Sequence, residues 1–318
     1  MKILITDYDF PDVELELALY RAAGVEVVTA QCRTEDEVIQ AAQGCQGLLV
    51  QYAPVNAKVF AACPEIRIAS RYGAGFDTIN TEDAQHHGVW VANSPDYGVG
   101  EVATHALAMT LDLIRNITGY DRDVKAGLWH YTSAGQIQRA SDMTIGIIGL
   151  GRIGKRMAHI SRNLFKRVIA YDPHIIDGDF PAYVERVGKE ELFQQAHVVS
   201  LHTPLNDETR GMIDASVLNL MQPGSFLVNS ARGGLVNIDD LLKALDGPLK
   251  GAGLDVLPVE PPATSAAIVQ HKRVLLSPHA AFYSEVAARE LRRKAAQNLI
   301  DWDRSGRPSY VVVAGNKK

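Results

Sequence analysis

Cysteine is scarce in this chain of 318 residues: three are present, Cys32, Cys45 and Cys63, with no metal-type spacing among them. An odd, small number argues against a disulfide framework and for a reducing compartment, and no metal site is expected. Long apolar runs are missing too. No stretch approaches the roughly 18 residues that mark a membrane span, and "MKILITDYDF" meets acidic residues too early for a signal peptide. A cytoplasmic protein without a membrane partner is expected. Dense basic blocks are also lacking: the formal charge is −5, and the most basic spot, "RELRRK" (289–294), falls in a helical pattern opposite Ala and Leu. That is a solvated helix face, so no nucleic-acid partner is expected.

What is present is a globular composition, 47% apolar and 22% charged, in a chain long enough for two domains. Strand and helix signals alternate. β-rich runs fall at 2–6, 25–29, 47–52, 66–72 and 89–94, and then at 144–148, 167–171, 198–201, 225–229, 251–255 and 273–277. Helical spacing occupies 12–23, 101–115 and the run from 285 to about Trp302, before a last β-rich "YVVVA" (310–314). The rhythm is βαβ, which implies α/β architecture with mainly parallel, doubly wound sheets.

"GLGRIG" places Gly149, Gly151 and Gly154 in the G-x-G-x-x-G pattern, with Arg152 and Ile153 inside it, between a strand signal and a helical one. The next strand run ends in Asp172. The first glycine permits the tight turn, the second lets a pyrophosphate approach the backbone, and the third lets helix and strand pack. Asp172 is suited to the ribose hydroxyls of NAD and would repel the 2′-phosphate of NADP. The plainer reading of Asp172 is a strand-end cap before Pro173.

Ligands of doubly wound sheets bind beyond the carboxyl ends of the strands. That edge collects His202 and Thr203, then Arg232, then Asp255 with Glu260 five residues on, and finally His279. Arginine, carboxylate and histidine together suit 2-keto acid reduction. The arginine forks onto the substrate carboxylate, and the histidine exchanges a proton with the oxygen on C2. The carboxylate fixes the imidazole. His202 fits either a cofactor contact or loop shaping before Pro204.

Over essentially its full length the chain resembles the D-2-hydroxyacid dehydrogenases. The matching motifs are "RYGAGFDTIN" (71–80), "GLGRIG" with Asp172, "LHTPLNDETRGMI" (201–213), "NSARGGLVN" (229–237), "GAGLDVLPVEPP" (251–262) and "SPHAAFYSE" (277–285). The resemblance implies Arg232, Glu260 and His279 as the catalytic set, and Asp255 as a contact of the nicotinamide amide. It implies NAD as cofactor, held also by His202, Thr203, Pro204, Thr209, Ser230, Ala231, Arg232, His279 and Ala281. The substrate is expected against Tyr52, the N–H groups of Ala74 and Gly75, Arg232, His279, Phe282 and Tyr283. A Rossmann NAD-binding domain (100–285) is expected, inserted into a flavodoxin-like substrate domain built from 1–99 and 286–318. A homodimer is expected as well; Trp129 then covers a cleft from the partner, or else packs in a core.

"HAAFYSE" also resembles the subgroup containing the C-terminal-binding proteins, so an NAD(H)-sensing interaction protein is the rival reading. Against it, the sequence shows no extended tail. Formate dehydrogenases carry Gln where Glu260 stands. A 3-phosphoglycerate dehydrogenase is the lesser alternative, since "QYAPVN" (51–56) lacks the arginine that often holds the phosphate, and no room is left for a regulatory domain. A small neutral or aromatic 2-keto acid is expected instead.

Overall fold

The structure of the protein, a computed structural model, describes residues 1–316. The chain divides into two compact units. One is formed by Met1–Gly98 with the segment from Ser284 onward, the other by Val99–Tyr283. Strands β1 (Lys2–Ile5), β2 (Glu26–Thr29), β3 (Gly47–Val50), β4 (Ile68–Arg71) and β5 (Trp90–Ala92) precede the second unit. That unit holds β6 (Thr144–Ile148), β7 (Arg167–Tyr171), β8 (Glu185–Arg186), β9 (Val198–Leu201), β10 (Ser225–Asn229), β11 (Leu249–Leu254) and β12 (Val274–Leu276). β13 (Val311–Val313) closes the chain.

The first sheet has the order β13-β5-β4-β3-β1-β2, parallel except for β13 against β5. Without the antiparallel edge this is the flavodoxin-like order, with its switch point between β1 and β3. The second sheet, β12-β11-β10-β9-β6-β7-β8, is parallel throughout and has the Rossmann order, with its switch point between β6 and β9.

The strands of the second sheet are near-continuous apolar runs because helices cover both faces. On one face Ile145, Ile147, Val198 and Val228 pack with Ala103, Ala106 and Met109 of helix Val99–Arg115 and Met157 of helix Arg152–Ser161. On the other, Ile148, Val199, Leu201 and Leu227 meet Leu192, Phe193, Leu241 and Leu245. Each fully buried Val, Leu, Ile, Phe or Met side chain among these contributes about 1.5–3 kcal/mol on burial. In the first unit the C-terminal helix Glu285–Ser305 lies against the sheet. Ser70 Oγ donates to Ala295 O at 2.8 Å, and Asn298 Nδ2 donates to Asn93 O at 2.9 Å. Arg292 pairs at 2.7 Å with Glu16, which is fully buried.

The structure differs from the sequence reading at several elements, among them short helices such as Glu35–Ala41 and Ile238–Asp246. β8 was not expected, because its two residues are charged and exposed. A further helix, Ile117–Lys125, follows a break at Asn116, whose φ of 53° takes the chain through the left-handed region. β11 stops at Leu254 rather than Asp255, because Asp255 is engaged with the loop beyond β12.

Candidate active site

The carboxyl edge of the second sheet is built from the loops that follow β6, β7, β9, β10, β11 and β12. At β6, Gly149 turns with φ 86°, and a Cβ there would lie 2.7 Å from His202 O. A Cβ on Gly154 would lie 2.0 Å from Gly149 O, so the helix Arg152–Ser161 reaches the loop only because that position is glycine. At Gly151 an added Cβ meets nothing within 4 Å. A tight loop, open space and a helix N-terminus together fit a pyrophosphate.

Asp172, just past β7, accepts the Leu150 N–H on Oδ2 at 2.7 Å and the His174 N–H on Oδ1 at 2.9 Å. It is therefore a cap, as the plainer reading held, and it also fixes the glycine loop. Each oxygen keeps a lone pair for a ribose hydroxyl.

Beyond β9, His202 Nε2 lies 2.9 Å from Ser200 Oγ, and its buried Nδ1 has no partner among the described residues. Burial pushes its pKa down to about 4. His202 is neutral near pH 7 and does not act as an acid there. Thr209 donates its hydroxyl to Pro204 O at 2.7 Å, bracing the loop that also carries Thr203. Ser230 Oγ, past β10, is buried without a partner among the described residues, an orphan that a bound cofactor would satisfy.

The Arg232 loop is held by Asn229. Its Nδ2 donates to Arg232 O at 2.9 Å, and its Oδ1 accepts the Ala231 N–H at 3.0 Å. Arg232 itself donates to Ala231 O at 2.7 Å. A Cβ on Gly233 would lie 2.0 Å from Leu257 C, so glycine lets this loop meet the turn that carries Glu260. Glu260 Oε1 accepts the Leu257 N–H at 2.8 Å, and Oε2 lies 2.7 Å from His279 Nδ1. Burial pushes the Glu260 carboxyl up. The hydrogen bond and charge of His279, the Leu257 N–H and the Arg232 charge together outweigh that and hold it below the usual range. An ionised Glu260 can only accept, so Nδ1 carries the proton and Nε2 is the nitrogen left for chemistry.

His279 has φ 53°, a left-handed conformation uncommon outside glycine. Its N–H donates to Asp255 O at 2.8 Å, and the Asp255 side chain accepts the N–H groups of Ala280 and Ala281, both at 2.9 Å. Phe282 and Tyr283 follow edge to face, with Tyr283 largely exposed. The second unit thus brings Arg232, Glu260 and His279 to the ends of β10, β11 and β12, which are adjacent strands.

In the first unit, Tyr52 lies in the loop beyond β3. The buried Asp7 carboxylate accepts three successive N–H groups of that loop: Gln51 at 3.1 Å, Tyr52 at 2.6 Å and Ala53 at 3.2 Å. Ala74 and Gly75 follow β4, and Asn93 Nδ2 donates to Ala74 O at 2.7 Å. Asp7, Asn229 and the Asp255 clamp were not singled out from sequence for these roles; the only signal was a short polar residue at a strand end.

The chain matches the family model for the D-isomer specific 2-hydroxyacid dehydrogenase NAD binding domain over residues 107–281. It is similar to a glyoxylate reductase of Korarchaeum cryptofilum, with 34% identity over 86% of this chain and 85% of that one. It is 35% identical to a D-3-phosphoglycerate dehydrogenase of Mycobacterium leprae over 80% of this chain, spanning about half (48%) of that relative's length. A D-lactate dehydrogenase solved with NAD+ from Lactobacillus jensenii superposes with a TM-score of 0.78 at 25% identity, covering 98% of this chain and 100% of that one.

Proposed function

This chain belongs to the D-isomer specific 2-hydroxyacid dehydrogenases, nicotinamide-dependent oxidoreductases acting on CH–OH groups, and we propose that its own substrates are small uncharged 2-keto acids. Glyoxylate, hydroxypyruvate and phenylpyruvate-like compounds are the candidates. The observation that carries this reading is the Glu260–His279 pair at 2.7 Å, with the Arg232 loop packed against the same turn.

Arg232 binds the substrate carboxylate through its planar fork. When bound, the nicotinamide supplies the hydride in reduction and takes it up in oxidation. His279 Nε2 gives a proton to the oxygen on C2 in reduction and recovers it in oxidation, while Glu260 holds the other nitrogen and offsets the imidazolium charge. Ala74 and Gly75 are assigned backbone N–H contacts to the carboxylate, and Tyr52, Phe282 and Tyr283 contacts to the remainder of the substrate.

The glycine loop, Arg152, Ile153, His202, Thr203, Pro204, Thr209, Ser230, Ala231, Asp255 and Ala281 are assigned to the cofactor. The two acceptor oxygens of Asp172 support NAD over NADP. Two carboxylates, Asp7 and Asp9, at the Tyr52 loop support an uncharged substrate side chain.

We also assign a homodimer, supported by Ile117, Trp129 and Tyr131, which are 59%, 85% and 81% exposed along one segment. Three free cysteines support a cytoplasmic location. Among the described residues, no helix is long and apolar enough to cross a membrane.

The test is NADH and NADPH consumption over a panel of 2-keto acids. Wild type should favour NADH and reduce glyoxylate or hydroxypyruvate, with His279→Ala and Arg232→Ala each losing roughly 10²–10⁴-fold in kcat/KM. Oxidation of 3-phosphoglycerate far above every keto acid reduction would overturn the substrate assignment. Tight NADH binding without turnover would favour the sensor instead.

A further inference from the structure

A second histidine of the same unit, His105, reaches Ser277 and Asp255, and the chemistry above does not use it. His105 sits on helix Val99–Arg115 among the buried Ala103, Ala106 and Met109. Its Nε2 is 2.8 Å from Ser277 Oγ and 3.6 Å from Asp255 Oδ1. Ser277 in turn hydrogen-bonds Asp255 Oδ1. A hydroxyl has one proton to give, and a carboxylate only accepts. The Ser277 proton therefore goes to Asp255, and the His105 Nε2–H must be the donor to Ser277. Proton bookkeeping alone fixes the direction of the chain: His105 to Ser277 to Asp255.

Asp255 is 2% exposed. Its Oδ1 takes the Ser277 hydroxyl and the Ala280 N–H, its Oδ2 takes the Ala281 N–H, and its carbonyl takes the His279 N–H. Three consecutive N–H groups, those of 279, 280 and 281, thus converge on one residue. That convergence holds His279 at φ 53°, a conformation that costs an ordinary residue about 1–2 kcal/mol. Oδ2 keeps one acceptor direction, so a nicotinamide amide is accommodated without disturbing the clamp.

We propose that His105 is a positioning residue for the reaction: through Ser277 it holds the Asp255 carboxylate in the orientation that clamps residues 279–281, and so aims His279 Nε2. The inference rests on the dehydrogenase reading and adds to it a residue distant in sequence that acts through Ser277 and Asp255. A buried carboxylate rotated out of this arrangement would leave two N–H groups without an acceptor. His279 would then relax toward ordinary backbone angles, and its ring would turn with it.

The experiment compares wild type with His105→Phe, Ser277→Ala, their double variant and His105→Gln, in which an amide N–H can still reach Ser277. Four quantities are read: Tm, NADH Kd by fluorescence, kcat and KM for glyoxylate or hydroxypyruvate, and the primary isotope effect on kcat with NADH deuterated at C4. Expected are kcat falling roughly 10–100-fold with little change in KM, and an NADH Kd that weakens by a smaller factor than kcat falls, because Asp255 is also assigned to the nicotinamide amide. The isotope effect should rise, because a misaimed proton donor slows the chemical step. The double variant should be no slower than the worse single variant, since both break one chain, and His105→Gln should recover most of the rate.

Loss of Tm with unchanged kcat and isotope effect would make His105 a packing residue and overturn the proposal. Additive rate losses would also overturn it. Should His105→Phe not fold, Ser277→Ala decides by the same readouts. A wild type that turns over no keto acid refutes the dehydrogenase reading first, whereas an active wild type with indifferent variants refutes the positioning role alone.

Discussion

The Tyr52 hydroxyl donates to Asp9 Oδ2 at 3.1 Å, tying the loop beyond β3 to the loop beyond β1 at the switch point of the first sheet. Burial, and then the charge of Asp9, push the phenol up to about 12, so Tyr52 is a neutral donor near pH 7. With Asp7 behind the same loop, the charge around Tyr52 would oppose a second anionic group if the substrate binds there as proposed, although Arg71 draws the phenol back in part.

Asp9→Asn should therefore relax discrimination by side-chain charge. Relative to glyoxylate, kcat/KM for oxaloacetate and for a phosphorylated keto acid should each rise about fivefold. Steady-state kinetics on the three substrates checks this, and an unchanged ratio would mean that Asp9 only braces Tyr52.

The Glu260–His279 pair gives a pH signature. Glu260 is held below the ordinary carboxyl range, so the pair contributes stability above the unfolded-state pKa and loses it as pH falls through the depressed value. The Tm difference between wild type and Glu260→Gln should be present at pH 7 and should shrink toward that acidic limit. The variant should also lose roughly 10–100-fold in kcat, because the neutral amide offers the imidazolium no charge.

Acid sensitivity should reside partly in His202. Its folded pKa near 4 lies below the unfolded value, so between about pH 6.5 and 4 the unfolded chain binds the extra proton. Stability falls as pH drops through that window, by about 2 kcal/mol between pH 7 and pH 5 from this residue. Denaturant titrations at the two pH values should show a smaller loss in His202→Gln.

In the first unit, Arg292→Leu would strand Glu16, which is fully buried and also accepts the Tyr72 hydroxyl at 2.9 Å. The expected cost is about 3 kcal/mol, because an unpaired buried carboxylate remains. Chemical denaturation measures it. The double change Arg292→Leu with Glu16→Leu should recover much of the loss.

Much of this molecule is written locally in its sequence. Apolar runs such as "TIGII" locate strands that helices cover on both faces, and glycines 149 and 154 mark where backbones must touch. Strand-end polar residues, ordered along a doubly wound sheet, also brought Arg232, Glu260 and His279 forward as candidates, together with His202, Thr203 and Asp255. The supporting hydrogen bonds were not legible. Asp7 reaches residues 44 to 46 positions away, and His105 reaches Ser277 across 172, with no periodicity to announce either. β8 escaped notice for the opposite reason: a two-residue edge strand of charged side chains carries no apolar pattern.

The three N–H groups gathered on Asp7 separate the shape of the Tyr52 loop from its chemistry. An aspartate outside the loop dictates the backbone path of residues 51 to 53, while Gln51 and Ala53 are buried and Tyr52 alone of the three is exposed. On the proposed substrate assignment, a change at Tyr52 alters the chemistry presented there and leaves the three N–H groups on Asp7 in place.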